Sequence, residues 1–549
     1  MALGVAGLVL AAAALPLLFL LTRAAWVTVT CYCLTPLRIR RALAAQGVLG
    51  PPPRPLVGNL RHVSALVAAS TAADMPSLSH DIVPRLLPHY VLWSKAYGSI
   101  FVYWYGSEPR VCVTEAGMVR ELLSSRHAHV TGKSWMQRQG AKHFIGRGLI
   151  MANGATWWHQ RRVVAPAFMA DRLRGRAVVG HMAECAGKAA RAMRDAVARG
   201  GNEVEVGAHM ARLAGDIVAR TEFGTSYDTG KRIFGLIEEL QRLTARSSRY
   251  LWVPGSQYFP SRYRREIKRL NGELEDLLKE SIERSREISD EGRTPSSACG
   301  TGLLGMLLAE MEKKKKKATT TNSGDGDELG YDIQTIVDEC KTFFFAGHET
   351  SALLLTWAIM LLATNPSWQD KARAEVAAVC GASPPTADHL PKLAVLQMVI
   401  NETLRLYPPA TLLPRMAFED ITLGGAGGEE LRVPRGASVW IPVLAIHHDE
   451  AVWGPDAHEF RPDRFAPGHR ARRPCAAGRF LPFASGPRNC VGQAYAMVEA
   501  KVVLAVMLAS FRFGISDEYR HAPVNVLTLR PRHGVPVRLL PLPPPPQQQ

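Results

Sequence analysis

No charge interrupts the chain between Ala2 and Leu21. About 20 helical residues span the hydrocarbon core of a bilayer, so this run predicts a transmembrane helix. Pro16 is a place for a kink. Arg23 comes next, then a second, mostly apolar run from Ala24 to Leu37, then Arg38, Arg40 and Arg41. A cleaved signal peptide carries its basic residues before the apolar stretch. Here they come after it, and the positive-inside rule then keeps the bulk of the chain in the cytosol. Gly50-Pro-Pro-Pro-Arg-Pro55 is the next landmark. Its prolines fix φ and predict a rigid lever between the anchor and the catalytic part of the chain.

From Ser99 to Val113 apolar and polar positions alternate, as in a β-hairpin. Asp171 to Glu291 repeats its apolar residues at helical spacing with few breakers. Gly292 to Ser297 and Lys313 to Gly326 break that pattern. Lys313 to Lys317 are five consecutive lysines, which predict a solvated, disordered loop. Tyr331 to Thr364 is apolar on nearly every side and ends at Asn365-Pro366, so it predicts a long, central, buried helix. A last helix is expected from Gln493 to Phe511. The tail, Pro541 to Gln549, is rich in proline and glutamine and reads as disordered. The expected fold is mostly α with a smaller β-sheet region. Four parts are expected: an anchor over 1–23, a basic and proline-rich linker over 24–60, a catalytic domain over 61–540 and a tail over 541–549.

Composition sharpens this picture. The chain has 549 residues, is 47% hydrophobic and carries a net charge of +17. That balance favours an anionic membrane or an acidic protein as partner. No zinc-finger or RNA-binding signature is present, so nucleic acid is not expected. The nine cysteines are odd in number and scattered, which reads as reduced, cytosol-facing protein.

One stretch carries the chemistry. Phe483-Ala-Ser-Gly-Pro-Arg-Asn-Cys490-Val-Gly492 puts a single cysteine at the end of a tight loop, just before the last predicted helix. Gly486 and Pro487 bend the loop. A helix N-terminus favours a thiolate and lowers the thiol pKa. Gly492 lets the backbone approach something flat. Arg488 is a planar cation suited to a carboxylate. The alternative is a buried structural cysteine. Five fixed positions in the ten, Phe483, Gly486, Arg488, Cys490 and Gly492, favour a sulfur ligand to iron.

On these residues the chain resembles the cytochrome P450 family, the haem-thiolate monooxygenases. The resemblance implies the P450 fold behind an N-terminal transmembrane helix, with haem b held by the Cys490 thiolate, also its only metal ligand. Other motifs extend it. Trp157 and Arg161 match W-x-x-x-R, which binds a haem propionate, and Arg415 matches a strand arginine that meets a propionate. With Arg488 they complete the cofactor-binding set. Ala346-Gly347-His348-Glu349-Thr350 matches the kinked oxygen-binding motif of the distal helix. Thr350 is implied to assist oxygen activation and Glu349 to relay protons. Glu402 and Arg405 match E-x-x-R, a buried ion pair closed by Arg464. His447-His448-Asp449 reads as structure rather than a metal site.

No phosphate-binding glycine motif is present, so electrons must come from another protein. The resemblance implies NADPH–cytochrome P450 reductase as partner, O2 and NADPH as co-substrates, a small-molecule substrate and the endoplasmic reticulum membrane as location. Three readings stay open: a monooxygenase, a haem-thiolate hydroperoxide isomerase or dehydratase, and a non-enzymatic haem sensor or carrier. Glu349-Thr350 favours the first. Cys33 to Arg38, Asp338 to Thr350 and Leu412 to Asp420 look like a plant clan of the family. Ala410 to Asp420 and Ile441 to His448 look most like its cytokinin trans-hydroxylases, which hydroxylate the prenyl side chain of N6-isopentenyladenine nucleotides. The other substrate reading is another small hydrophobic metabolite. Lys133, Arg138, Lys142 and Arg147, between Gly132 and Gly154, are candidates to hold a substrate phosphate or to meet haem propionates, lipid or solvent.

Overall fold

A computed structural model describes residues 2–173, 175–199, 201–225, 227–247, 261–290, 302–320, 331–469 and 478–542. The N-terminal helix α1 (Ala2–Val29) runs through Pro16 and past Arg23 without a break. One π-helical turn at Thr30–Leu34 joins it to α2 (Thr35–Ala44). Among the described residues three helices are long and apolar enough to cross a membrane, and of these the N-terminal one alone has none of its apolar window buried in the protein. The segment expected as a linker is partly core. Ile39, Leu43 and Val48 are buried against Val102, Val111 and Val439. Arg38 donates to Arg435 O at 3.1 Å, which ties the end of the anchor to the body.

The expected hairpin is β1 (Ile100–Tyr105) and β2 (Glu108–Val113), paired Ile100 to Val113. It opens a five-stranded sheet. β3 (Thr131–Gly132) forms the far edge of that sheet, beside β5 (Leu413–Ala417), and β8 (Ser438–Ile441) lies between β5 and β2. Three smaller sheets complete the β part. β4 (Glu203–Glu205) joins β12 (Pro536–Pro541) and β9 (Phe511–Ile515). β6 (Ile421–Gly424) pairs with β7 (Glu430–Val433), and β10 (Pro523–Val526) with β11 (Thr528–Pro531).

Helices form the rest. α3 (Trp135–Ala141) starts at a capping box between Ser134 and Gln137, so the segment from Gly132 to Gly154 is partly helical. α4 (Gly154–Val164) carries the tryptophan–arginine motif. α5 (Arg176–Ala198), α6 (Val206–Glu222), α7 (Tyr227–Ser247) and α8 (Arg262–Asp290) fill the region read as helical. α9 (Leu303–Thr320) takes in all five lysines from Lys313 to Lys317. The expected loop there is helical instead. Leu303, Leu304, Leu307 and Met311 are buried at helical spacing and carry the helix into the lysines, themselves good helix formers. The breaker at 292–297, the second half of the lysine-rich breaker from 321 and the tail from 543 lie outside the described residues.

The centre of the molecule is α10 (Ile333–Thr364). Asp332 caps it by accepting from the Thr335 N–H at 2.7 Å. Asn365 and Pro366 end it, as expected. Its C-terminal half, Ala352 to Ala363, is buried on every face. α6 packs along it, and Gly347 permits this. A Cβ on Gly347 would stand 3.0 Å from Val218 Cγ2. α10 stays helical through Ala346–Thr350, so the glycine serves close approach and no break in the helix accompanies it. α11 (Ala394–Leu406) and α12 (Gln493–Ser510) pack on its other sides.

Candidate functional site

The loop before α12 is held by its own backbone. Cys490 N–H donates to Phe483 O at 2.9 Å, and Asn489 N–H to Gly486 O at 3.0 Å. Gly486 has φ +71°, and a Cβ there would stand 1.8 Å from Leu123 O. No other residue fits. Gly492 has ordinary φ and lines the cavity in front of the cysteine. A Cβ there would point to within 4.0 Å of Cys490 Sγ.

Cys490 opens on a cavity of about 330 Å³. The cavity lies between α10, α12, α4 and the β5 edge of the large sheet. Its walls are apolar on the α10 side, with Phe343, Ala346 and Leu354, and Leu413 lies opposite. Thr350 is on this wall, with its hydroxyl donating to Ala346 O at 2.7 Å. The thiol faces the cavity yet is enclosed by the fold. Burial pushes it above its ordinary value, against the Gly492 N–H and Arg161. The expected lowering by the helix terminus therefore does not appear in the free thiol, because desolvation outweighs it. A bound cation deprotonates a ligating thiol outright.

Cations gather on the same cavity: Lys133, Arg161, Arg415 and Arg488. Arg488 stacks on Trp157, 4.0 Å from the ring centroid, and donates to Ala128 O and Ala152 O. Its Nη2 is buried with no partner. Arg415 donates to Pro414 O at 2.9 Å. Burial lowers Arg415 to about 10. Burial, with Arg415 beside it, lowers Arg488 to about 9. Lys133 falls furthest, to about 7, through burial and the fields of Arg415 and Arg488. Arg161 does not share the work of Trp157 in this arrangement. It donates to Asn489 O and Oδ1, both at 2.7 Å, and so braces the cysteine loop.

These residues fit the haem that the motifs imply. A sulfur stands on a largely apolar slot that Gly492 also lines. Crowded cations and an orphaned guanidinium donor suit two propionates. Cys490 would hold the iron. Trp157, Arg415, Arg488 and Lys133 would hold the carboxylates, with Arg161 supporting the loop. Lys133 was legible only as one of four loop cations. Arg138, Lys142 and Arg147 are exposed, so they do not line the cavity.

Glu349 departs from expectation. It does not line the cavity of Thr350. It lies on a second cavity of about 240 Å³, with His348, Gln241 and Arg530. Arg530 holds its carboxylate from Nε at 2.9 Å and Nη2 at 2.6 Å, and Thr528 also bonds it. A direct hand-over of protons from Glu349 to Thr350 is not set up by this geometry.

The E-x-x-R cluster is fully buried. Arg405 meets both oxygens of Glu402 at 2.8 Å and donates to His447 O and Ala457 O. Arg464 Nε lies 3.4 Å from Glu402, and Arg461 N–H donates to the same carboxylate. His447 accepts from the Leu481 N–H, and His448 bonds Leu406 O. Among the described residues no group of three or more His, Cys, Asp or Glu is placed to hold a metal ion.

Residues 85–533 match the family model described as Cytochrome P450. Two proteins of Arabidopsis thaliana, each named cytokinin hydroxylase, are similar to the chain. One is 52% identical over 517 residues, 94% of this chain and 95% of that protein. The other is 52% identical over 524 residues, 95% of this chain and 96% of that protein. Cytochrome P450 734A6 of Oryza sativa subsp. japonica is 38% identical over 517 residues, 91% of each.

Proposed function

The chain belongs to the cytochrome P450 family, the haem-thiolate monooxygenases, and from that premise we propose that it hydroxylates the prenyl side chain of isopentenyladenine-type cytokinins, giving trans-zeatin forms. The observation that carries the substrate class is 52% identity, across nearly the whole of both chains, with proteins named cytokinin hydroxylase. The apolar wall of Phe343, Ala346, Leu354 and Leu413 supports it, because a prenyl group needs a dry, apolar surface. Bound haem supplies the centre where dioxygen is reduced with electrons from NADPH, one oxygen atom entering a substrate C–H bond and the other leaving as water.

The chain's own residues do the rest. Cys490 would hold the iron through its thiolate. The cations around Arg488 would hold the haem carboxylates. The α10 wall orients the substrate carbon and excludes water. Thr350 Oγ1 stands on that wall and is placed to hold or pass a proton within the cavity. Its hydroxyl proton is engaged by Ala346 O, which leaves the oxygen's lone pairs to accept a hydrogen bond. Electrons come from a reductase, as for the family. We place that partner and the anchor in the endoplasmic reticulum membrane, with the catalytic part over 61–540 in the cytosol. Support for this is the apolar helix and the arginines after it.

Dioxygen labelled with the heavy oxygen isotope tests the reading. The protein, reconstituted with reductase and NADPH, should convert isopentenyladenine riboside phosphate to a product with one labelled hydroxyl on the prenyl trans methyl. Oxygen consumption without hydroxylated cytokinin would reject the substrate and leave the family's activity standing.

A further inference from the structure

The N-terminal part of α10 carries polar side chains that the mechanism does not use. Asp338, Glu339, Lys341 and Thr342 interrupt the buried apolar residues Ile336, Val337, Cys340, Phe343 and Phe344. Lys341 turns to α8, donating to Asn271 Oδ1 at 2.8 Å and Glu275 Oε1 at 2.7 Å. The other three lie within about one helical turn and meet residues 144–152, between α3 and α4. We propose that Glu339 is a positioning residue for the substrate, holding Leu149 and Ile150 in place as a wall of the Cys490 cavity. The inference rests on the monooxygenase reading and adds a residue that sets the shape of its substrate site.

Glu339 is fully buried. Its Oε2 accepts from the Leu149 N–H at 3.0 Å, and its Oε1 from Tyr331 OH at 3.3 Å. Thr342 donates to Ile145 O at 2.7 Å. Two glycines let the segment come this close. A Cβ on Gly148 would stand 2.5 Å from Thr342 Oγ1 and 2.7 Å from Glu339 Oε2. One on Gly146, at φ +78°, would stand 2.7 Å from Asp338 Oδ1. Farther along α10, Phe345 meets Phe144 edge to face, with ring centroids 5.5 Å apart.

The side chains of Leu149 and Ile150 line the cavity together with Ala346 and Thr350. Glu339 therefore grips the main chain of a residue whose side chain forms the wall. The same stretch reaches the haem cations. Ala152 O accepts from Arg488 at 3.1 Å, and Asn153 bonds the Lys133 N–H and O, both at 2.9 Å. Apolar packing could hold such a segment against α10, but it is not directional. A hydrogen bond to one N–H fixes the register. Burial pushes the Glu339 carboxyl up to about 7, against the Leu149 N–H and Tyr331 OH. Glutamine keeps an acceptor for the Leu149 N–H and offers Tyr331 OH a donor, so it is the conservative replacement.

The test uses the full-length, haem-loaded protein with Glu339→Leu, Glu339→Gln, Thr342→Val and Leu149→Ala. In Glu339→Leu, amide hydrogen exchange over 144–152 should speed up, while 352–363 of α10 stays as protected as in wild type. This measurement needs no substrate, so it decides the clamp apart from the cytokinin reading. Titration of wild type with isopentenyladenine riboside phosphate, followed by haem absorbance, checks that reading, and absence of binding there rejects it alone. In Glu339→Leu the dissociation constant should rise about tenfold, the scale of one buried donor left unsatisfied. The thiolate-type carbon monoxide spectrum should be kept, and the share of product hydroxylated on the trans methyl should fall. Glu339→Gln should restore wild-type values of both. Adding Leu149→Ala to Glu339→Leu should weaken binding by less than the product of the two single effects, because both act on one wall. Thr342→Val keeps the shape and removes the bond to Ile145 O, so it should move the same readouts in the same direction, by about threefold. It decides the matter where Glu339→Leu does not fold. Unchanged exchange over 144–152 overturns the proposal, and so does faster exchange with an unchanged dissociation constant in a wild type that binds. Faster exchange shared equally by 352–363 overturns it as well, because Glu339 would then serve the fold as a whole. Equal losses in Glu339→Gln and Glu339→Leu would remove the hydrogen bond as the cause.

Discussion

Two clusters of buried cations stand near the cavity, and they are built on opposite terms. Around Glu402 every arginine nitrogen finds a partner within the chain or lies in ion-pair contact. Arg405 is saturated by one carboxylate and three carbonyls, and Arg464 bonds Asp456 and Trp453 O while its Nε, without a hydrogen bond, is met by the Glu402 carboxylate 3.4 Å away. Around Trp157 the cations crowd one another. Arg488 keeps a buried donor with no partner, and Lys133 feels only the fields of Arg415 and Arg488. Burying charge is costly unless it is paired. The first cluster answers that cost from its own sequence and fixes the fold. The second leaves it open, and the open charge is the imprint of an anionic ligand.

Breaking the saturated cluster should do the most damage. Glu402→Ala strands Arg405 and Arg464 as buried, uncompensated charges, and such losses run to about 3–5 kcal/mol. Little folded, haem-loaded protein should be recovered, and that protein should unfold at lower denaturant. Recovery at the wild-type level would mean that the cluster does not hold the fold. Arg488→Leu should do the reverse. Haem affinity should fall by tenfold or more, since one bond to a charged group is worth about 1.5–3 kcal/mol. The haem-free protein should unfold no more easily than wild type, because a crowded cation has gone. Equal losses in both measurements would erase the distinction between the clusters.

Lys133 gives the smallest effect at neutral pH and the sharpest sign. Its folded pKa is depressed to about 7, from about 10.4 in the unfolded chain. Between those values the unfolded chain holds the proton and the folded chain does not. Stability of the haem-free protein should therefore rise with pH across that window, by up to about 1.4 kcal/mol per unit for one proton. Lys133→Met should remove that part of the slope. Bound haem should remove it too, because propionates favour the charged lysine. A slope that survives both changes would place Lys133 outside the cluster.

Legibility in the sequence tracks the range of the interactions. Glu402 and Arg405 are one helical turn apart, and the cysteine loop is ten consecutive residues, so spacing alone displays both. α10 announces itself by being apolar on every side. The direction of Glu349 could not be read. It depends on Arg530 and Thr528, far along the chain and placed by the β10–β11 hairpin. Lys133 depends on β3 pairing with β5, Gly132 opposite Met416, which turns the next residue toward Arg415. The lysine run misled because its charge suggests a loop, while the buried leucines before it extend the helix.

The open cluster and the cysteine jointly hold the haem, and every other assignment in the cavity depends on this. The reduced carbon monoxide complex of Cys490→Ser, compared with wild type, measures it directly. With Cys490 as the axial ligand, the variant should lose the thiolate-type Soret shift while the Glu402 cluster, and with it the fold, stays intact. A variant that keeps the shifted band would show that another group binds the iron and that this cavity has been misassigned.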